Sequence, residues 1–138
     1  MARVEDTALS GSVADALVLI VDDDARNLKL ARDVLLAAGF RTIVAASGNE
    51  AVALAAEHLP DVILMDLRLP DMDGTDAARM LRDEAPTAAI PVVLLSSISL
   101  EEDTAWLADA GFAGHLVKPI DIDAFPVQVR SFCRRGVG

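Results

Sequence analysis

Five short runs of almost uninterrupted aliphatic residues, each followed by a longer segment of helical period, limit the fold of this chain more than any other feature. They are Leu17 to Val21, Thr42 to Ala45, Val62 to Met65, Val92 to Leu95 and Leu116 to Val117. Such short runs suit strands rather than helices, and a strand without polar alternation has to be buried on both faces. Helices on both sides of a parallel sheet supply that burial. Ser47-Gly48-Asn49-Glu50 and Ser99-Leu100-Glu101-Glu102 fit the capping box that opens a helix, in which the Ser and the Glu satisfy free amides reciprocally. Gly39 and Gly111 follow helical stretches, where a left-handed cap costs Gly least. A last helix is expected to begin near Asp121 or Asp123, with Pro126 in its first turn. Five βα units in succession predict an α/β fold: a five-stranded parallel sheet, doubly wound, with right-handed crossovers.

With 138 residues, 53% of them hydrophobic, the chain has material for one core and is short for two. Residues 1–15 mix small and polar types without period and read as a flexible leader, 16–135 as the folded domain and 136–138 as a tail. Only three residues follow the last helix, so the chain reads as a stand-alone module. A net charge of −10 repels phosphate backbones and anionic lipid, so neither nucleic acid nor membrane is expected as a partner. The short basic cluster of Arg130, Arg134 and Arg135 falls where a last helical turn welcomes cations. A single cysteine, Cys133, allows no intrachain disulfide and no thiolate metal cage. With no membrane-spanning run and no export signal, a cytoplasmic protein is expected.

Parallel strands deliver the residues beyond their ends to one rim, where open α/β sheets place their sites. Here the first run ends in Asp22 and Asp23, the third in Asp66, the fourth in Ser96 and Ser97, and the fifth in Lys118. Gathered carboxylates repel and so ask for a cation, and hard oxygen donors suit Mg²⁺. With no His or Cys nearby in sequence, zinc is not expected. A carboxylate is also a covalent phosphoryl acceptor, and phosphoryl transfer asks little of a protein beyond alignment, a metal and fixed cationic or hydroxyl donors. Lys118 and Ser96 supply the last two.

Val21-Asp22-Asp23, Leu64-Met65-Asp66-Leu67-Arg68-Leu69-Pro70-Asp71-Met72-Asp73-Gly74, Val93-Leu94-Leu95-Ser96-Ser97 and Val117-Lys118-Pro119 together resemble the signature of response-regulator receiver domains, over about Leu17 to Arg135. The resemblance implies a flavodoxin-like sheet of order 2-1-3-4-5. It implies that Asp66 takes a phosphoryl group from a histidine kinase or phosphotransfer protein, and that Asp22, Asp23, Asp66 and the backbone carbonyl of Arg68 hold Mg²⁺. It further implies that Ser96 follows the phosphoryl group, that Lys118 pairs with it, and that the Lys118-Pro119 bond is cis. The product is a signalling switch, not a turnover enzyme, whose fourth helix, fifth strand and fifth helix present an output face to a downstream protein. As a free molecule it would be a monomer or weak dimer. Two positions depart from the commonest pattern: His115 occupies the switch position usually held by Tyr or Phe, and Arg68 is long and cationic where smaller polar residues are common.

Simpler roles compete for several of these residues. Asp22, Asp23 and Asp24 could decorate a helix start, and Asp66 could be a turn residue. His58 is read as a helix-end residue near free carbonyls, Trp106 as either core or a partner contact. Asp71-Met72-Asp73-Gly74-Thr75 also mimics the DxDGT motif of haloacid-dehalogenase-like phosphatases, but that motif directly follows a strand, and here the strand ends five residues earlier, at Asp66.

Overall fold

The computed structural model describes residues 16–97 and 105–133. The leader, the tail, the Ser99 capping box, Arg134 and Arg135 lie outside them. Strands β1 (Leu17–Val21), β2 (Arg41–Ala45), β3 (Val62–Asp66), β4 (Val92–Ser96) and β5 (Gly114–Val117) alternate with helices α1 (Ala25–Ala37), α2 (Gly48–His58), α3 (Gly74–Arg82), α4 (Ala105–Ala110) and α5 (Phe125–Phe132), with a 3₁₀ turn at Thr87–Ala89 before β4. All neighbouring strands are parallel, in the order β2-β1-β3-β4-β5. This is the flavodoxin-like sheet the sequence led us to expect.

Period-two alternation divides the apolar runs between two cores. Leu19, Val21, Ile63, Met65 and Leu94 face α2, α3 and α4 through Ala51, Ala55, Ala77, Leu81 and Leu107. Val18, Ile20, Val62, Leu64 and Val93 face α1 and α5 through Ala31, Leu35, Phe125 and Val129. The alanines let the helices lie close to the sheet, while the strands supply the bulk.

Helix ends follow the sequence signals with two adjustments. Gly39 and Gly111 both have φ +97°. After Gly39 the Phe40 N–H returns to Leu35 O, and after Gly111 the Phe112 N–H returns to Leu107 O, so both helices close in the same way and bury the following Phe. Ser47 Oγ accepts the Glu50 N–H at 3.1 Å, but Glu50 reaches one residue further back than the capping box expects, to the Ala46 N–H at 2.8 Å. The last helix begins at Phe125, later than expected, because Asp121 first closes a turn by accepting the N–H groups of Asp123 and Ala124. Pro126 does fall in its first turn.

Candidate functional site

The order of the strands reverses between β1 and β3, because the chain leaves β1 toward one side and fills the other side afterwards. A crevice is expected at the carboxyl ends of those two strands. Val21 is level with Met65 and Asp66 with Leu95, so the residues that follow β1 lie beside the end of β3. Ser96 stands one residue beyond Leu95 and level with Val117. Lys118 then enters the rim, its N–H donating to Ser96 O at 2.8 Å.

The three consecutive aspartates have different roles. Asp22 is 2% exposed; one of its oxygens accepts the Asp24 N–H at 2.9 Å and the other lies 2.7 Å from Lys118 Nζ. Asp23 is exposed, and Asp24 caps α1 by accepting the N–H of Arg26 and of Asn27. The helix-start reading therefore holds for Asp24 alone. Carboxylate oxygens of Asp22, Asp23 and Asp66 lie within 4.8 Å of one another.

Asp66 ends β3 half-buried, with Oδ1 accepting the Leu67 N–H at 2.9 Å and lying 3.3 Å from Lys118 Nζ. Burial raises its pKa above the ordinary 3.8; the Lys118 charge opposes this and the Asp22 charge adds to it. For Lys118, burial pulls the other way, but the hydrogen bond and charge of Asp22, with the charge of Asp66, leave its pKa above 10.5. The ammonium therefore stays charged between two acids. Ser96 is buried, and the Lys118-Pro119 peptide is cis. Arg68 pairs with Asp73 in an isolated antiparallel bridge within the loop that leaves Asp66.

His115 lies on β5 opposite Leu94, on the sheet face covered by α4, and its Nε2 is buried with no hydrogen-bond partner among the described residues. Trp106 packs edge-on against Phe112 at 6.3 Å between ring centres and is half-buried, so it belongs to the edge of the core. His58 does end α2, but its ring faces Glu57 at 3.8 Å; Leu59, in the left-handed region, closes the helix through its N–H to Ala55 O. Cys133 is buried under α5, its thiol on Val129 O. Arg130 lies over the Phe40 ring at 5.4 Å.

The DxDGT resemblance has a structural explanation. Both oxygens of Asp71 are engaged by main-chain N–H groups of Gly48 and Asn49, and Asp73 is the N-cap residue of α3. Neither stands at a strand end as that motif requires. Sequence reasoning missed the Asp71 contact because it joins residues 23 and 22 positions apart, a spacing no local pattern carries.

Comparison with known proteins agrees with this geometry. The response regulator receiver domain family matches residues 18–130. The polar-differentiation response regulators DivK of Brucella ovis and Brucella anthropi are each 36% identical over 115 residues, covering 83% of this chain and 94% of theirs. The chemotaxis protein CheY4 of Vibrio cholerae superposes with a TM-score of 0.80 at 28% identity, over 86% of this chain and 98% of its own. The receiver domain of a Pseudomonas aeruginosa sensor histidine kinase, solved with a magnesium ion coordinated in its active-site cleft, does so at 0.77 and 29% identity, over 86% and 97%. With the parallel sheet and the acidic rim already in place, this chain belongs to the response regulator receiver domain family, the phosphoryl-accepting switches of two-component signalling.

Proposed function

We propose that Asp66 accepts a phosphoryl group from the phosphohistidine of a histidine kinase or phosphotransfer protein, with Mg²⁺ bound, and that this changes what the face formed by α4, β5 and α5 binds. The observation that carries the reading is the meeting of Asp66 with two further carboxylates and one ammonium at a single rim. The acidic trio fits Mg²⁺: three hard oxygen donors lie within 4.8 Å of one another, and the one ammonium beside them, Lys118, leaves the cluster net negative. Asp22, Asp23 and Asp66, with the backbone carbonyl of Arg68, would hold the ion, which supplies charge neutralisation for the phosphoryl oxygens.

Asp66 Oδ1 already accepts from Leu67 and faces Lys118, so attack is assigned to Oδ2, which has no donor among the described residues. Oδ2 forms its bond to phosphorus as the bond from phosphorus to the donor's imidazole nitrogen breaks, and that electron pair leaves with the imidazole. Lys118 and the Ser96 hydroxyl then bind phosphoryl oxygens, and movement of Ser96 opens space toward which the His115 ring can turn. Water later attacks the phosphorus, returning the Asp66 carboxylate and inorganic phosphate. The protein promotes both steps on itself, once per cycle.

Intact-mass measurement after incubation with phosphoramidate and Mg²⁺ tests the assignment. The wild type gains one phosphoryl group, whereas Asp66→Ala, or the wild type with divalent metal chelated, gains none. A gain retained by Asp66→Ala and mapped to Asp22, Asp71 or a serine overturns it.

A further inference from the structure

One carboxylate near the rim has no part in the phosphoacceptor chemistry. The loop from Leu67 to Asp73 leaves β3 at Asp66 and folds back on itself: Arg68 bridges Asp73, the Leu69 N–H donates to Met72 O at 3.1 Å, and the Gly74 N–H donates to Leu67 O. Its base is pressed against the acceptor. A Cβ at Gly74 would collide with the Asp66 carbonyl, and the Leu67 N–H donates to Asp66 Oδ1.

The tip is tied to another element. Asp71 Oδ1 accepts the Gly48 N–H at 2.8 Å and Oδ2 accepts the Asn49 N–H at 2.9 Å, the first two residues of α2. Beside them the Met72 side chain occupies the place a Gly48 Cβ would need. First-turn amides have no partner within their helix, and a carboxylate across two of them makes charge-assisted bonds. The Asn49 and Gly48 amides accordingly hold the Asp71 pKa below its ordinary value. The helix has its own cap besides: Ser47 serves a different amide, that of Glu50.

We propose that Asp71 is a positioning residue for the metal and phosphoryl site: by clamping the loop tip to α2 it fixes Leu67 and Arg68 relative to Asp66 and couples the start of α2 to occupancy of the site. The inference rests on the reading of Asp66 and its neighbours as a Mg²⁺ site. Coupling of this kind is reciprocal, so an ion that orders the loop also steadies the amides Asp71 holds.

The experiment compares Mg²⁺ affinity by titration calorimetry in the full chain for wild type, Asp71→Ala, Asp71→Asn and Ser47→Ala, with urea unfolding of each. Ser47→Ala weakens the start of α2 without touching the loop. Asp71→Ala is expected to bind Mg²⁺ about tenfold more weakly, as for other residues that orient metal ligands from behind. Asp71→Asn, which keeps one acceptor oxygen, falls between, and Ser47→Ala keeps wild-type affinity despite its lower stability. Mg²⁺ slows amide exchange at Gly48 and Asn49 in the wild type but not in Asp71→Ala. Unchanged affinity in Asp71→Ala, or an equal loss in Ser47→Ala, overturns the proposal and leaves Asp71 a plain cap. If Asp71→Ala does not fold, Asp71→Asn against wild type decides in the same way. A wild type that takes no Mg²⁺ overturns the metal-site reading instead.

Discussion

Lys118 sets one positive charge between two carboxylates, 2.7 Å from Asp22 and 3.3 Å from Asp66. A base whose pKa is raised on folding contributes stability that is complete below its unfolded value, here near 10.5, and is lost as pH climbs through the folded one. Lys118→Ala leaves the buried Asp22 without a counter-ion, at an expected cost of about 3 kcal/mol at neutral pH. In urea unfolding the gap from wild type narrows as pH rises past 10.5. Mg²⁺ should recover more stability in the variant, where it meets three unopposed carboxylates. His115 presents a separate case, an imidazole nitrogen buried without a partner among the described residues. His115→Phe removes that nitrogen and is expected to raise the melting midpoint, by about 1 kcal/mol in free-energy terms. Because the gain falls on the unphosphorylated conformer, phosphorylation should then change amide exchange over residues 105–117 less than in wild type.

Among the elements, α1 and α4 show how a helix is stopped at low cost. Each runs into a glycine at φ +97°, which turns the chain so that the next aromatic, Phe40 or Phe112, drops into the core. The same geometry at an L-residue brings Cβ against the following carbonyl. Gly39→Ala is therefore expected to destabilise by about 1–2 kcal/mol, measurable as a lower urea midpoint, without altering phosphorylation of Asp66. At α2 the left-handed position is taken by Leu59 instead. The start of α2 is served by two separate side chains, Ser47 from its own chain neighbourhood and Asp71 from the loop after β3.

For the molecule as a whole, the sheet separates two cores and its rim carries the chemistry, so stability and function can be perturbed apart. Leu64, fully buried in the α1–α5 core, lies two residues before Asp66 on β3. Leu64→Ala is expected to cost about 3 kcal/mol through lost transfer energy and a cavity. The urea midpoint should fall with little change in slope. Among the described residues no helix is long and apolar enough to cross a membrane.

By itself the sequence determined where four of the five strands lie and what stands at their ends, because a short run with no polar alternation can be buried only between two helical layers. Parallel strands then bring Asp22, Asp23, Asp66, Ser96 and Lys118 to one rim. It showed less of β5, whose first residues, Gly114 and His115, carry no aliphatic signal; Gly114 is there because the Phe132 ring fills the space of a Cβ. The start of α5 is hidden for a similar reason, since Asp121 caps a turn as readily as a helix. Only the tertiary structure decided the separate roles of Asp22, Asp23 and Asp24, and the use of Asp71 to hold a distant helix. Those roles depend on contacts 96 residues apart at Lys118 and Asp22, and 23 apart at Asp71 and Gly48. Such contacts follow from strand register and loop packing, which local periodicity does not encode.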